Sequence, residues 1–282
     1  MSPACSPVGT ILDGRWRLGA EIARAGAVLR RGTDLLQTRA VALKLPGAAC
    51  DRGAWCGDIA TEAAMLARFG ARHRRIVALR GRGMAAGLPF LALDLLAGPD
   101  LRALLVPGKP LATAQVAALL GSIAEALALL HRDGVVHGDV SPGNLVLADD
   151  GVPVLVDFAT ARAAGTPWPR VLNPAYAAPA QFRAAQADPR DDVYALAVIA
   201  YEALAGHHPF ARRVVQPGET PPPPPALAPA AWTVLRAALD GDAAARPCDI
   251  RDLAAALRRA VPWPARMRRA VSSYAGTMPC PA

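Results

Sequence analysis

Residues 136–144 read VHGDVSPGN, and residues 154–159 read VLVDFA. These two stretches are the most informative part of the sequence, because each places polar side chains directly beside a short run of aliphatic residues. Asn144 follows Asp139 by five residues, and Asp157 follows Asn144 by thirteen. Oxygen-bearing side chains on short loops beside apolar strands are typical of a functional site carried by a rigid scaffold.

The sequence between these polar residues predicts a β-hairpin. Residues 145–147 (LVL) and residues 154–156 (VLV) are the two strands, and an acidic DDG turn joins them. This hairpin would bring Asn144 and Asp157 to neighbouring strand ends. Their oxygens suit Mg²⁺, which takes one or two protein carboxylates and completes its shell with water and phosphate. Asp139 would then face a substrate hydroxyl.

The composition indicates a globular chain and excludes fibrous and disordered classes. The chain has 282 residues, of which 53% are hydrophobic and 19% charged. The net charge of +8 comes from scattered arginines, so we expect no nucleic-acid partner. Five cysteines without a C-x-x-C pair indicate reduced thiols. Without a signal peptide or a long uninterrupted apolar run, we expect a cytoplasmic chain with no membrane span.

The pattern of apolar residues changes near Gly98 and Pro99. Before this point the sequence predicts short strands and one helix, and after it mainly helices. The expected strands are residues 16–18, 40–45 and 89–93, and the expected helices are residues 58–69, 114–131, 193–204, 230–239 and 250–259. The predicted organisation is an N-terminal segment (1–10), a small β-rich lobe (11–97), a helical lobe (98–260) and a flexible tail (261–282).

Lys44 lies at the end of an apolar strand, where a solvated charge has little reason to be. A single cation there could hold phosphate oxygens if a carboxylate fixed it, and Glu62 on the next helix is the candidate. Taken alone, Lys44 could equally be a surface lysine whose stem lies along apolar neighbours. Glu62 could likewise be an exposed charge on the helix surface.

In combination, these residues resemble the protein kinases of the eukaryotic type, as found in bacterial Ser/Thr kinases. Residues 41–44 (VALK) resemble the strand with the phosphate-binding lysine, and Glu62 its helix partner. Residues 137–139 with Asn144 resemble the catalytic loop, and residues 157–159 the Mg²⁺ motif. The likeness continues, in order, through residues 175–179, residues 192–206, and Arg246 with Pro247.

This resemblance implies an α+β fold with two lobes, a small β-rich one with one helix and a larger, mainly helical one. It implies a kinase that transfers phosphate from Mg-ATP to a Ser/Thr hydroxyl of a protein. Asp139 would orient the hydroxyl and take its proton, and Asn144 and Asp157 would bind Mg²⁺. Lys44 would hold the α- and β-phosphates, with Glu62 bracing it.

The same resemblance assigns the nucleotide contacts. Backbone groups from Asp94 to Leu96 would bind the adenine edge, and Gly26 would lie in the phosphate loop. The residues that would sandwich the adenine are Ala42, Leu29 and Val146. Residues 23–27 read ARAGA where the family has G-x-G-x-x-G, so we expect weakened nucleotide affinity.

Three further positions depart from the family pattern. Ser141 replaces a lysine that reaches the γ-phosphate. Gly138 replaces an arginine that pairs with a phosphorylated activation segment, so we expect no such control. Ala180 replaces the glutamate that pairs with an arginine, so we expect Arg246 to lack its partner and the helical lobe to be loosened.

Two other functions stay open for this sequence. The chain could be a pseudokinase, a scaffold that binds nucleotide weakly or not at all. It could also be a small-molecule phosphotransferase, because His-Gly-Asp occurs in aminoglycoside-phosphotransferase-like enzymes, although residues 192–206 argue against it. The substrate protein is unknown, and a regulatory protein partner is possible. Residues 221–225 (PPPPP) predict an exposed connector, with an SH3-like ligand as the alternative.

Overall fold

The computed structural model describes residues 6–25, 27–168, 173–183, 185–216, 218–225 and 227–261. These residues form two compact units. Unit 1 contains the described residues up to Ala97 together with Val156–Thr160, and unit 2 contains Gly98–Leu155 and the described residues from Ala161 onward. The predicted flexible tail lies outside the described residues except for Val261.

Unit 1 is an antiparallel sheet with one helix. Its elements are β1 (Ile11–Leu12), β2 (Trp16–Ala25), β3 (Ala27–Asp34), β4 (Arg39–Pro46), α1 (Arg52–Phe69), β5 (Leu79–Ala85) and β6 (Leu88–Asp94). The six strands stand in the order β1-β2-β3-β4-β6-β5. The edge strands β1 and β5 also touch, so the sheet is curled.

The two faces of this sheet have different roles. Val41 and Leu43 alternate onto the core face, because successive side chains of a strand point to opposite sides. Ala42 and Lys44 therefore lie on the other face, and Leu29 joins them because it pairs with Lys44 across the ladder. The core face is formed by Leu12, Trp16, Leu18, Val28, Val41, Leu43, Leu45, Ala85, Phe90 and Ala92.

Helix α1 begins at Arg52, earlier than the predicted start at residue 58. The Asp51 carboxylate accepts a hydrogen bond from the Ala54 N–H at 2.7 Å and caps the helix there. The buried stripe of the helix consists of Trp55, Ile59, Glu62, Ala63, Leu66 and Phe69. An acid in the middle of an apolar stripe requires an internal partner, because an isolated buried charge is costly.

The sequence predictions missed β1, β3 and β5 and ended β2 too early, at residue 18. In β3, Arg30 is only 5% exposed, because its guanidinium donates to the Gly19 carbonyl at 2.6 Å. A buried arginine with its hydrogen bonds satisfied interrupts the apolar alternation that identifies a strand. The β5 sequence, LRGRGMA, lacks that alternation because glycine and arginine occupy four of its positions.

Unit 2 is mainly helical, and the four α-helices among its described residues match the predicted ones within a few residues. They are α2 (Thr113–Arg132), α3 (Pro189–Ala205), α4 (Pro229–Ala238) and α5 (Ile250–Ala260). Its strands form two antiparallel pairs, β7 (Val135–Val136) with β10 (Arg162–Ala163) and β8 (Leu145–Leu147) with β9 (Pro153–Leu155). The β8–β9 pair confirms the predicted hairpin, and the two units together confirm the predicted fold class.

Helix α2 is the core helix of unit 2. Among the described helices it alone is long and apolar enough to cross a membrane by length and composition, with a mean hydropathy of 1.6 in its most apolar stretch. In that stretch 61% of the residues are buried inside the protein. Burial of this kind is what a soluble core helix also shows. The expectation of no membrane span stays a prediction.

The proline run 221–225 is exposed on one side only. Pro221 and Pro224 are buried, whereas Pro222 and Pro223 are exposed. This period of three residues is that of a polyproline helix. The Tyr201 hydroxyl donates to the Pro222 carbonyl at 2.9 Å, so the predicted connector is attached to the helical core.

A pair of glycine substitutions tests the packing of unit 1. A β-carbon on Gly81 would lie 2.5 Å from the Trp16 ring, whereas one on Gly57, exposed within α1, meets nothing within 4 Å. We expect Gly81→Ala to lower the free energy of unfolding by about 1–3 kcal/mol through overpacking. Gly57→Ala should raise it by up to about 1 kcal/mol through helix propensity. Urea unfolding of both variants measures this, and equal stabilities would contradict the described packing.

Candidate active site

Strand β4 places Lys44 in a cluster of charges inside unit 1. The Lys44 Nζ donates to Glu62 Oε2 at 2.7 Å and to Asp157 Oδ1 at 2.9 Å. The Glu62 side chain is fully buried, the Lys44 side chain is 9% exposed and the Asp157 side chain is 40% exposed. The three residues are far apart in sequence, and the fold brings them together as predicted.

The cluster keeps Lys44 positively charged. Burial alone would lower the pKa of Lys44, but the carboxylates of Asp157 and Glu62 outweigh burial and raise it. Asp157 has a φ of +62°, a left-handed conformation that is uncommon outside glycine. Backbone strain of this kind persists where surrounding contacts enforce it, and it is concentrated at functional sites.

Four other predicted nucleotide contacts belong to unit 1. Ala42 and Leu29 lie on the same face of the sheet as Lys44. The Asp94 N–H donates to the Ala78 carbonyl at 3.0 Å, so this N–H is already used by the protein. Among the described residues, no hydrogen bond involves the backbone of Leu96, which leaves its groups available. A fifth predicted nucleotide contact, Gly26, lies outside the described residues.

Unit 2 contains the other predicted site residues. The Asn144 Nδ2 donates to the Asp139 carbonyl oxygen and to Asp139 Oδ2, each at 2.8 Å. This double contact fixes the Asp139 carboxylate relative to its own backbone. Val146 is half-buried in β8, where it pairs with Val154. The structure thus brings Asp139 and Asn144 together, as the catalytic-loop prediction requires.

Asp192, at the start of α3, holds the backbone before Asp139. Its Oδ2 accepts the His137 N–H at 2.9 Å, and its Oδ1 accepts the Gly138 N–H at 2.9 Å. The ring of His131 contacts the same carboxylate, with Nε2 2.8 Å from Oδ2. Burial alone would raise the pKa of Asp192, but the hydrogen bond and charge of His131, with other neighbouring groups, lower it below its ordinary value.

Asn144 in unit 2 and Asp157 in unit 1 each keep an oxygen atom of the kind that Mg²⁺ prefers. Both amide hydrogens of Asn144 are donated to Asp139, so its Oδ1, which accepts no hydrogen bond from a described residue, is the atom left for a ligand. The Asp157 carboxylate is partly exposed. Within the described part of the chain, no group of three or more His, Cys, Asp or Glu is arranged for a metal. Nucleotide phosphates and water would supply the remaining ligands.

The expectation that Arg246 lacks a partner is wrong. Its side chain is fully buried, and Nη1 lies 3.4 Å from Asp191 Oδ1. Its guanidinium carbon lies 4.8 Å from the centroid of the Tyr194 ring. Asp191 takes the place of the glutamate that Ala180 replaces. A desolvated guanidinium requires acceptors, and a residue elsewhere in the chain can supply them. The remaining donors bind backbone carbonyls, those of Arg190, Asp240 and Gly241.

The sequence analysis missed the role of Gln181. This side chain is 6% exposed, and its Nε2 donates to the Gly138 carbonyl at 2.9 Å. Its Oε1 accepts the Ala178 N–H at 2.8 Å. A glutamine two residues after the Ala-Pro pair that ends residues 175–179 was the available signal, but nothing in its local spacing indicates that it reaches residue 138.

Comparison with known proteins gives a consistent result. The protein kinase domain family matches residues 25–220. The serine/threonine-protein kinase PknL of Mycobacterium bovis is 39% identical over 208 residues, which are 71% of this chain and 51% of that protein. The DNA damage-responsive serine/threonine-protein kinase RqkA of Deinococcus radiodurans is 35% identical over 220 residues, 72% of this chain and 31% of that protein. The chain therefore spans about half the length of these relatives or less.

The Asp192 carboxylate predicts a pH dependence of stability. Because its pKa is lower in the folded chain than in the unfolded one, its contribution is present above about pH 4 and is lost as the pH falls through the folded pKa. We expect Asp192→Asn to cost about 2–4 kcal/mol of unfolding free energy at pH 7, and less below pH 4. Urea unfolding across pH 3–7 measures the difference. Asp149→Asn, in an exposed turn, is the control, and a pH-independent Asp192→Asn effect would contradict this assignment.

Proposed function

The chain belongs to the protein kinase family, and from this premise we propose that it transfers phosphate from Mg-ATP to a serine or threonine hydroxyl of a protein. The proposal rests mainly on the buried contact of Lys44 with Glu62 and Asp157. A lysine held charged by two carboxylates, one of them partly exposed, suits the binding of phosphate oxygens next to a metal.

Each proposed role follows from the chemistry of the side chain. Glu62, fully buried, holds the Lys44 ammonium in place, and Lys44 directs its charge toward nucleotide phosphate. Asp139 orients the acceptor hydroxyl and takes its proton, with its carboxylate fixed by Asn144. The family resemblance gives Asn144 Oδ1 and the Asp157 carboxylate, one residue in each unit, the role of metal ligands. When bound, Mg²⁺ neutralises the charge on the phosphates.

This intact set of residues favours an active kinase over the pseudokinase alternative. Lys44, Glu62, Asp139, Asn144 and Asp157 are all present, and two local clusters keep them hydrogen-bonded. Replacing the family lysine by Ser141 removes one charge that would contact the γ-phosphate, so we propose slow transfer and not its absence. The family match and the relatives favour a protein substrate over a small molecule.

The cellular setting belongs to the same proposal. We propose a protein substrate and control by a regulatory protein partner, with the described units acting in the cytoplasm. The absence of control through a phosphorylated activation segment, expected from Gly138, stays a prediction.

A transfer assay with radiolabelled ATP and a generic basic protein tests the activity. We expect Asp139→Asn and Lys44→Met to lower incorporation at least 100-fold, because each removes a proton acceptor or a phosphate-binding charge. The matched controls are Asp149→Asn, in an exposed turn, and Lys109→Met, the other lysine. Both controls should retain activity within twofold. Equal incorporation by all five proteins would overturn the proposal.

Nucleotide binding is tested separately from transfer by thermal unfolding. We expect Mg-ATP to raise the Tm of the wild type and of Asp139→Asn, since Asp139 acts on the acceptor hydroxyl. Lys44→Met should lose that shift, and its Tm without nucleotide should fall because Glu62 would be left as an unpaired buried charge. A Tm shift without phosphate transfer would support a pseudokinase that binds nucleotide. If Mg-ATP shifts the Tm of none of the proteins, a nucleotide-binding pseudokinase is excluded as well as an active kinase.

A further inference from the structure

The backbone of Gly138, directly before Asp139, is held by contacts from three other parts of unit 2. Its N–H donates to Asp192, and its carbonyl accepts from Gln181, each at 2.9 Å. Its φ is +78°, which favours glycine. A β-carbon on Gly138 would lie 2.2 Å from the Trp168 ring, so the indole rests directly against the glycine.

Trp168 is itself fixed by four kinds of contact. Its backbone N–H donates to the Ala185 carbonyl at 3.2 Å. Its indole Nε1 donates to Asp191 Oδ2 at 3.1 Å, and the Arg162 guanidinium lies over the ring at 5.0 Å. The side chain is 4% exposed and packs in a small apolar cluster with Val136 and Ala187. A ring held in this way cannot move from Gly138 without breaking several contacts.

The contact of Trp168 with Asp191 extends into the helical core. Asp191 Oδ1 meets the buried Arg246, and Asp191 Oδ2 also accepts the Asp188 N–H at 3.3 Å. The carboxylate therefore joins the indole to an arginine whose other donors are all bound to backbone carbonyls or to the same acid. A rigid support for the ring results, because none of these side chains is exposed enough to exchange its partner for water.

We propose that Trp168 is a positioning residue for Asp139. The indole presses on Gly138, which has no side chain, and fixes the peptide from which Asp139 projects. Asp191 and Arg246 hold the indole in that place. This inference rests on the proposed function, because it assigns the Asp139 carboxylate to the transfer step.

A small displacement of the loop would have a large kinetic effect. A reacting group moved by about 1 Å from its productive position can lose about 100-fold in rate. The phosphate-binding cluster of Lys44, Glu62 and Asp157 belongs to unit 1, whereas Trp168 belongs to unit 2. Loss of the indole should therefore lower kcat and leave the KM for ATP nearly unchanged.

The experiment uses the full chain, four single variants and one double variant. We expect Trp168→Ala to lower kcat by 10- to 100-fold with the KM for ATP within twofold. Trp168→Phe keeps a ring on Gly138 but loses the bond to Asp191, and should retain more activity than Trp168→Ala. Gly138→Ala should lose activity as well, because its methyl group and the indole cannot occupy the same space. Trp232→Ala, a half-buried tryptophan of α4, is the control and should keep its kcat.

The double variant Gly138→Ala/Trp168→Ala separates positioning from general loss of stability. If the indole and Gly138 act as one contact, the double variant should lose no more activity than the worse single variant. Multiplied losses in the double variant would overturn the proposal, as would a Trp168→Ala protein that keeps its kcat. A parallel fall of kcat and rise of KM in Trp168→Ala would also overturn it.

Amide hydrogen exchange distinguishes failure of this inference from failure of the proposed function. In Trp168→Ala we expect at least tenfold faster exchange in a peptide covering residues 136–144, with no change in a peptide covering residues 40–46. That result in a protein without phosphoryl transfer would keep the loop support and reject the kinase activity. Unchanged exchange over residues 136–144 would reject the loop support, whatever the activity.

Discussion

Two adjacent buried carboxylates, Asp191 and Asp192, organise unit 2. Asp192 turns toward the catalytic-loop backbone and accepts its N–H groups, whereas Asp191 turns toward Trp168 and Arg246. Two neighbouring buried acids would ordinarily repel each other. Their place in the first turn of α3 makes them tolerable, because the positive end of the helix dipole and several donors stabilise them. The backbone before Asp139, the Trp168 ring and Arg246 therefore all depend on the first turn of α3.

Unit 1 depends on a different balance of charge. Lys44 reaches Glu62 and Asp157 because the register of the sheet puts it on the face opposite the apolar core. A buried ion pair adds little net stability, since desolvation of both groups offsets their attraction. Its value is geometric, because the ammonium cannot leave without stranding Glu62. A charge that must remain in one place is what binding of a phosphate requires.

The sequence predicted those parts whose signals are local. The hairpin after Asn144, the helices of unit 2 and the pairing of Lys44 with Glu62 followed from apolar periodicity and from the motif resemblance. Strand β3 was not predicted, because Arg30 is buried within it and donates its hydrogen bonds to backbone carbonyls. The contact of Trp168 with Gly138 could not be predicted, because no periodic pattern records which distant ring covers a glycine.

The case of Arg246 shows why a missing motif residue is weak evidence of a loosened fold. Comparison with the family motif shows that Arg246 has lost one partner, because Ala180 replaces the glutamate. In the folded chain each of the three guanidinium nitrogens donates to Asp191 or to a backbone carbonyl, and the Tyr194 ring lies against the group. Asp191 also accepts a hydrogen bond from the Trp168 indole N–H. It therefore couples Arg246 to the loop before Asp139. A departure from the family pattern therefore has to be judged by the contacts that surround it.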